Sequence, residues 1–357
     1  IFEQLPVAGG MLAVGIPEYR LPRKLLQYEI DIIKKMGVEI KLNTRVGKDI
    51  KIDDLKKEFN AIFIAAGAHK GLKLEINGED NINVIDAVDF LRKINMGDVV
   101  DIGEKVVVVG GGNAAIDAVR TAYRLGKKVQ LLYRRTVNEM PAQKEEIEDT
   151  IAEGIDIQFL TAPVKINSDN GVLKSLECVR MELGAIDKSG RRKPVPIKNS
   201  EFNIELDTLI TAIGQKPEGD VFIDKKGPGI TKWSTIEVDI ETLCTCVDGL
   251  FAGGDIVNGP KTVTESIAQG KLAARMIYKY INGEELKREY KITTPAVDVD
   301  ALELTEDEIE KLERFKIPKL VVSERTNNFK EVDLGFSRNQ AVAEAKNCLR
   351  CDKEEKE

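Results

Sequence analysis

The sequence is poor in the residues that several classes of enzyme require. It contains one histidine, His69, and five cysteines among 357 residues. A hydrolase built on a serine–histidine or cysteine–histidine pair would depend on that single imidazole, and nothing near His69 suggests a nucleophile or an orienting group. We interpret His69 as a surface loop residue. Five cysteines in a chain of this size do not form a disulfide framework, which favours a reducing cytoplasm.

The chain also lacks a basic excess and long apolar runs. Lys and Arg number 53 against 60 Asp and Glu, for a net charge of -7, so nucleic acid is not expected as a partner. No apolar run approaches the ~20 residues that span a bilayer, and no signal peptide opens the sequence. The length and the hydrophobic content of 42% are sufficient for two domains with their own cores.

Residues 105–135 have the pattern of a strand, a glycine loop, a helix and a second strand. The apolar run 105–109 is typical of a buried parallel strand, and three glycines follow it. Gly110, Gly112 and Ala115 match the G-x-G-x-x-A form of the dinucleotide fingerprint. We expect a pyrophosphate to bind at the helix N-terminus formed by Asn113, Ala114 and Ala115.

Two arginines end the second strand of this unit. An NAD site would have a carboxylate there, which would repel a 2′-phosphate, whereas Arg134 and Arg135 can bind a phosphate through paired hydrogen bonds. The sequence therefore favours NADP(H). The alternative interpretation of the two arginines is a solvated strand end.

Three further segments look like strands that end in small residues beside a nucleotide. Residues 61–67 and 208–214 are short apolar runs, and 249–281 has a strand, a glycine turn and an amphipathic helix. Small residues at strand ends let the backbone approach a cofactor closely. The candidate contacts are Ala65, Ala66, Gly67, Ala212, Ile213, Gly214, Gly254 and Asp255. For either of the first two segments alone, a plain buried strand is the alternative.

The first residues, IFEQLPVAGGML, look like the end of a second Rossmann unit. Glu3 stands where such a unit places the carboxylate that binds a ribose, and the preceding strand, glycine loop and helix are expected to be missing. An exposed terminal glutamate is the alternative interpretation of Glu3.

Several linked motifs resemble the glutamate synthase small-subunit family of pyridine nucleotide and FAD oxidoreductases. They are GIPEYRLP (15–22), GGGNAAIDAVRTA with YRR, EMPA (139–142) and AGGDIVNGPKTVTESIAQGKLAA (252–274), and the resemblance covers residues 1 to about 290. It implies an α/β fold with two Rossmann-like dinucleotide-binding domains. An NADPH domain (99–215) would be inserted into a discontinuous FAD domain (1–98 and 216–290, first βα unit missing), followed by a short helical tail (291–357).

The resemblance also implies roles for individual residues. Glu3 would bind the FAD ribose, Val46 the adenine through its backbone, and Arg20 would lie toward the flavin or the electron exit, with a surface ion pair as its alternative. Glu139 is a candidate near the nicotinamide, although an exposed loop glutamate is its alternative. Further FAD contacts would come from Gly9, Gly10, Met11, Leu12, Ala65, Ala66, Gly67, Gly254, Asp255, Thr262 and Val263.

The tail carries a Cys-x-x-Cys pair, Cys348 and Cys351. Two thiolates one helical turn apart can ligate one ion, so the pair is a candidate half-site for an iron–sulphur cluster, with a disordered dithiol as the alternative. Capping-box patterns predict short helices that begin at Thr305 and Ser337.

We expect a flavin-dependent NADPH oxidoreductase subunit that passes electrons from NADPH through FAD to iron–sulphur clusters or to a large catalytic partner subunit. No side chain needs to act as an acid or a base. The alternative is a noncatalytic NADP(H)-binding module for assembly or sensing.

Overall fold

The computed structural model describes residues 1–187, 190–222, 227–289, 305 and 314–345. Its helices are α1 Met11–Val14, α2 Arg23–Lys35, α3 Ile52–Glu58, α4 Ala87–Asn95, α5 Asn113–Arg124, α6 Lys144–Ala152, α7 Asp255–Asn258, α8 Val263–Ile281 and α9 Arg338–Ala345. Its strands are β1 Ile62–Ile64, β2 Lys70–Gly71, β3 Val84–Asp86, β4 Lys105–Val109, β5 Lys128–Tyr133, β6 Asp156–Phe159, β7 Thr161–Asp169, β8 Val172–Ile186, β9 Arg192–Pro196, β10 Phe202–Glu205, β11 Thr208–Thr211, β12 Gln215–Lys216 and β13 Leu250–Ala252.

The larger half of the molecule is built on a parallel sheet of five strands in the order β3-β11-β4-β5-β6. Strands β4 and β11 lie at its centre, and their apolar runs are buried because both faces of the sheet are covered. On one face, Phe90 of α4 and Ile116 and Val119 of α5 pack against Val106 and Val108. This half is the one that contains the glycine loop of residues 110–112.

The second face of this sheet is covered by an antiparallel sheet that the sequence did not predict. Strands β7, β8 and β10 pair in the order β10-β8-β7, and β9 pairs with the far end of β8. Buried Leu176 and Cys178 of β8 pack with Leu132 and Leu209 of the parallel sheet. Cys178 is therefore a core thiol, and burial raises its pKa to about 12.

The smaller half has a much shorter sheet. Strands β1 and β13 pair in parallel, with Ile62 opposite Leu250 and Ile64 opposite Ala252. Near the start of the chain, Phe2 forms an isolated parallel bridge with Lys41. Helix α8 covers the pair through buried Leu272, Ala273 and Met276, which contact Phe251.

The predicted boundary at residue 98 is too late. Strand β3 pairs with β11 in the five-stranded sheet, and α4 packs on that sheet, so residues 84–95 belong with the glycine-loop half. The two connections between the halves run side by side, because β2 and β12 pair as a short antiparallel ribbon. A second contact joins the halves, since the Asn95 side chain donates to the Val14 carbonyl at 2.9 Å.

Residues 314–345 of the tail fold back along helices α5 and α6. Its Val332 N–H donates to the Tyr19 carbonyl at 3.0 Å, and the Phe329 ring lies 6.4 Å from the Tyr19 ring. The predicted helix that begins beside Ser337 is confirmed as α9, whose first turn Ser337 and Gln340 cap reciprocally. The other predicted tail helix lies outside the described residues.

A network of ion pairs holds the tail and the N-terminal segment against α5 and α6. Buried Glu153 accepts from Arg120 at 2.7 Å, from Arg124 at 3.0 Å and from Arg325 of the tail at 3.1 Å. Arg20 of the N-terminal segment pairs with α5 and α6. We call the cluster the charged clasp; it consists of Arg20, Asp117, Arg120, Arg124, Glu146, Asp149, Glu153, Lys319 and Arg325.

Burial and charge act in opposite directions on the acids of the charged clasp. Burial raises the pKa of Asp117 to about 6, although Arg20 lowers it. Burial would also raise the pKa of Glu153, but hydrogen bonds and charge from Arg120 and Arg124 outweigh it and lower that pKa to about 2. Glu153 is therefore the ionised centre of the network near neutral pH.

Candidate functional site

The glycine loop lies at the carboxyl end of β4, between β5 and β11. The Gly110 N–H donates to the Leu132 carbonyl at 3.0 Å, and the Ala212 N–H donates to the Val109 carbonyl at 2.8 Å. A side chain at Gly110 would overlap the Ala212 carbonyl oxygen, so only glycine fits there. Ala212, Ile213 and Gly214 thus lie at the same sheet edge as the loop.

Helix α5 begins immediately after this loop with no side-chain cap. Its N-cap residue is Gly112, which has no side chain to accept a hydrogen bond from the first N–H groups of the helix. The Asn113 side chain instead accepts from the Gln143 N–H at 3.0 Å. Asn113, Ala114 and Ala115 form the first turn, so the N–H groups and the dipole of this helix are directed at the space beside Gly110 and Gly112. This arrangement fits a dinucleotide pyrophosphate.

The segment after β5 folds back over the glycine loop. The Tyr133 hydroxyl donates to the Glu139 carbonyl at 2.6 Å, and the Ala142 N–H donates to the Gly111 carbonyl at 3.1 Å. The Glu139 carboxylate accepts from the Thr136 hydroxyl and N–H, which lowers its pKa. Glu139 caps its own turn, in agreement with the alternative interpretation of a loop glutamate.

The two arginines after β5 have different environments. Arg134 is exposed and lies directly after the strand end, as a phosphate-binding residue would. Arg135 is 5% exposed; it pairs with Asp187 at 2.8 Å and donates to the Arg192 carbonyl at 2.7 Å. The expectation that Arg135 binds a phosphate is therefore corrected, because its guanidinium is buried and engaged with the β8–β9 hairpin.

A second sheet edge of the same kind occurs where β1 and β13 end. Since these strands are parallel, Ala65, Ala66 and Gly67 lie beside Gly254 and Asp255, and the Gly253 N–H donates to the Ile64 carbonyl at 3.1 Å. Gly254 has a φ of 78°, and a Cβ there would meet only the Ser266 hydroxyl, 3.8 Å away. Asp255 is half-buried, which raises the pKa of its carboxyl, and it accepts from the Lys261 N–H at 3.1 Å.

The first residues of the chain add a carboxylate and a glycine turn. Glu3 follows the Phe2–Lys41 bridge, and its carboxylate accepts from the Leu5 N–H at 2.8 Å; burial raises its pKa. Gly9 and Gly10 have φ values of 113° and 52° and lead into α1. Met11 and Leu12 in α1 pack against α2. The glycine turn leaves open space at Gly10, where a Cβ would meet nothing within 4 Å.

A polar cleft of about 500 Å³ is lined by Gln4 and Leu5, which follow Glu3, and by His69, Arg45 and Arg92. Within the described part of the chain, His69 Nδ1 and Arg92 Nε are buried without a hydrogen-bond partner. Burial and the Arg92 charge lower the pKa of His69. His69 is thus half-buried, and the surface position expected from the sequence is corrected. Unpartnered polar atoms of this kind in the cleft fit a polar ligand such as a nucleotide ribose or phosphate.

Val46, Thr262 and Val263 occupy structural positions at this half. Val46 bridges to Ile50 and packs on the core cluster around Ile64. Thr262 and Glu265 form a capping box at the start of α8, with the Thr262 N–H donating to the Glu265 carboxylate at 2.9 Å. Two backbone groups at this helix N-terminus are therefore already satisfied, and Val263 is 42% exposed.

Arg20 belongs to the charged clasp. Its guanidinium pairs with Asp117 and Glu146, each at 2.9 Å. The position of Arg20 toward the flavin stays a prediction, and the alternative of an ion pair agrees with the structure, although the pair is largely buried. The sequence carried a signal for it: Asp117, Arg120 and Arg124 repeat every three or four residues along α5, which places them on one helix face.

Cys348 and Cys351 lie outside the described residues, so their cluster half-site stays a prediction. Within the described ranges, no three His, Cys, Asp or Glu side chains come together as a metal site would require. In the same part of the chain, no helix combines the length and the apolar character needed to cross a membrane.

Two sheet edges with glycine turns define a protein of the two-dinucleotide-domain class. Residues 16–270 match the model of the pyridine nucleotide-disulphide oxidoreductase family, and the chain belongs to this family. The predicted resemblance and oxidoreductase class are thereby confirmed.

The Mycobacterium tuberculosis FprA structure in complex with NADPH is similar in fold, with a TM-score of 0.66, 18% identity and coverage of 79% of this chain and 77% of that one. A Lactococcus lactis thioredoxin reductase has a TM-score of 0.58 at 20% identity, covering 79% and 90%. The predicted fold class is confirmed.

Curated relatives extend the likeness over almost the whole chain. The Moorella thermoacetica NADP(+)-dependent formate dehydrogenase subunit beta is 43% identical across 98% of this chain and 50% of its own length. The Geobacter sulfurreducens NADPH-Fe(3+) oxidoreductase subunit beta is 41% identical across 98% and 57%. The Azospirillum brasilense glutamate synthase [NADPH] small chain is 34% identical across 78% and 61%. The chain thus spans half to two thirds of the length of these relatives.

Proposed function

We propose that this chain is the NADPH-oxidising, FAD-binding part of an electron-transfer oxidoreductase. The observation that carries the proposal is the uncapped N-terminus of α5 beside Gly110 and Gly112, with exposed Arg134 at the end of the adjacent strand. A pyrophosphate and a phosphorylated ribose need those two features at that spacing. The second edge, with Glu3, Gly67 and Asp255, supplies the carboxylates and open backbone that suit FAD.

A bound FAD would accept a hydride from NADPH and release the electrons one at a time. The chain contributes binding and orientation. The first turn of α5 holds the pyrophosphate, Arg134 attracts the 2′-phosphate, and the segment that contains Met140 and Ala142 covers the loop. Because no acid or base is needed for hydride transfer, the capping role of Glu139 is compatible with this chemistry.

Electrons would leave to iron–sulphur clusters or to a large catalytic partner subunit. The names of the Moorella, Geobacter and Azospirillum relatives as subunits or chains support a partner. Cys348 and Cys351 are proposed as ligands of a shared cluster. The three described cysteines, Cys178, Cys244 and Cys246, are free thiols, which supports a reducing cytoplasmic location.

Anaerobic titration of the FAD-reconstituted chain with NADPH tests the proposal. The visible absorbance of the flavin should be lost with NADPH, and the NADPH concentration required should rise in the Arg134→Ala variant. Lys128→Ala, which removes an exposed charge at the opposite end of β5, serves as the matched control and should leave the titration unchanged.

The alternative function, a noncatalytic NADP(H)-binding module for assembly or sensing, predicts a different result. The chain would then bind NADPH but retain no FAD after reconstitution, and no bleaching would occur. That outcome would overturn the enzymatic function for this chain.

A further inference from the structure

The β8–β9 hairpin brings a second arginine to the end of β5. Arg135 holds the hairpin, because its Nε donates to the Arg192 carbonyl at 2.7 Å and its Nη2 pairs with Asp187 at 2.8 Å. The Arg192 backbone therefore lies in direct contact with the side chain of Arg135, the residue that follows Arg134. No local sequence pattern indicates this proximity, since Arg135 and Arg192 are 57 positions apart.

The Arg192 side chain is exposed, yet its position is fixed. Its Nε donates to the Gly184 carbonyl and its Nη2 to the Leu183 carbonyl, each at 3.2 Å. No carboxylate among the described residues lies within ion-pair distance of it. Two neutral acceptors orient the guanidinium without cancelling its charge, which is the state of a pre-organised anion-binding group.

The charge of Arg192 acts on the turn that follows β5. Glu139 lies in that turn, and its pKa is lowered by the Thr136 hydroxyl and, further, by the nearby Arg192 charge. The same turn is tied to the strand end by the hydrogen bond from Tyr133 to the Glu139 carbonyl. Arg192 is thus brought near the turn that follows β5, where Arg134 is exposed and where a dinucleotide fold places the adenosine ribose.

We propose that Arg192, together with Arg134, forms the 2′-phosphate subsite and determines the preference for NADPH over NADH. Arg135 is then a positioning residue that anchors the hairpin carrying Arg192. This inference rests on the proposed function, since it names the residues that select the phosphorylated nucleotide. A guanidinium suits the task because it binds phosphate through paired hydrogen bonds.

Two probes that differ only in the 2′-phosphate test the subsite: adenosine 2′,5′-bisphosphate and adenosine 5′-phosphate. Their affinities for the full chain and its variants are measured by calorimetry. Arg192→Ala should weaken the bisphosphate about tenfold, the effect of losing one charge-assisted hydrogen bond, and should leave the 5′-phosphate unchanged. Arg134→Ala should behave in the same way.

Lys193→Ala is the matched control. It removes the same charge from the neighbouring exposed residue, whose side chain alternates to the other face of β9, and should change neither affinity by more than about twofold. Arg192→Gln keeps a donor for the Gly184 carbonyl while removing the charge. It should reproduce the selective loss if the hairpin fold is sensitive to alanine.

The outcomes separate the subsite from the proposed function. If the unmodified chain prefers the bisphosphate but Arg192→Ala and Arg192→Gln keep that preference, the subsite is wrong and the NADPH function stands. Equal weakening of both probes also overturns the subsite, because a positional effect on the whole nucleotide would explain it. If the unmodified chain shows no preference, the NADPH assignment falls and the subsite falls with it.

Discussion

The sheets of the two halves differ in the number of their strands and in how far apart the paired strands lie in the sequence. The glycine-loop half has five parallel strands drawn from residues 84–211, packed between helices and an antiparallel sheet. Within the described residues, the other half has one pair of strands, β1 with β13, which come from residues 62–64 and 250–252. Joining distant segments costs more loop-closure entropy than joining near ones. The strands of the glycine-loop half can therefore pair once residues 84–211 are present, whereas the pairing of β1 with β13 requires the chain up to residue 252.

Loss of a carboxylate from the charged clasp should have the largest effect on the stability of the molecule. Glu153→Gln would leave buried Arg120, Arg124 and Arg325 without their shared carboxylate, at a cost of about 3–5 kcal/mol in the free energy of unfolding. Urea denaturation measures the change. In the other half, Asp54→Asn breaks the exposed pair with Lys57 and should cost less than about 1 kcal/mol. Similar losses of unfolding free energy in both variants would contradict the conclusion that the buried Glu153 pairs contribute more to stability than the exposed Asp54–Lys57 pair.

The stability that the charged clasp confers should depend on pH. The pKa of Glu153 is depressed from 4.5 to about 2, so its contribution is present above pH 4.5 and lost as the pH falls toward 2. The stability difference between the unmodified chain and Glu153→Gln should shrink over that range. Asp117 has the opposite sign: its raised pKa of about 6 means that its contribution is lost as the pH rises through 6. A constant difference across pH 2–5 would argue against an ionised Glu153.

Alanine at one glycine of each half compares the two nucleotide edges directly. At Gly110 a Cβ would overlap the Ala212 carbonyl, so Gly110→Ala should cost about 1–3 kcal/mol and weaken NADPH binding. At Gly254 the space is open and only the φ of 78° opposes a side chain, so Gly254→Ala should cost about 1 kcal/mol. Thermal unfolding and NADPH titration measure both. A larger loss of stability in Gly254→Ala than in Gly110→Ala would contradict the conclusion that the backbone is packed more closely at Gly110.

The smallest expected effects come from helix caps, one on each half. The Asp86 carboxylate caps α4 in the glycine-loop half, and the Thr262 hydroxyl caps α8 in the other. Replacement of either by Ala should cost about 1 kcal/mol. Hydrogen exchange should show Asp86→Ala loosening only the five-stranded sheet and Thr262→Ala only β1, β13 and α8. Uniform loosening by both variants would indicate that the halves unfold as one unit.

The sequence predicted those parts of the fold that are local. Strand β4, the glycine loop and α5 follow one another without interruption, so hydrophobic period and glycine spacing were sufficient to predict them. The strand ends near Gly67, Gly214 and Gly254 were predicted for the same reason. The antiparallel sheet was missed because the alternation along β8 is interrupted, and its partners are set by packing against the parallel sheet.

The candidate site was predicted by residue type, and its corrections concern long-range contacts. Arg134 and Arg135 are neighbours with the same chemistry, but alternation along the extended chain sends one to solvent and the other into contact with Asp187. The ion pairs of Arg20 with Asp117 on α5 and Glu146 on α6 likewise form between segments that are far apart in the sequence. No local pattern reveals the partner of a charge that is distant in sequence.

Sequence patterns alone established the strand, glycine loop and helix of a dinucleotide unit and the resemblance to the family, and they predicted a phosphorylated ribose as ligand, because each depends on residues a few positions apart. The folded structure was needed to show which half contains β3, which arginine remains exposed, and that residues 314–345 of the tail pack against the glycine-loop half. These features depend on strand pairing and on the burial of charge, whose free energies are set by contacts that form only when distant segments meet.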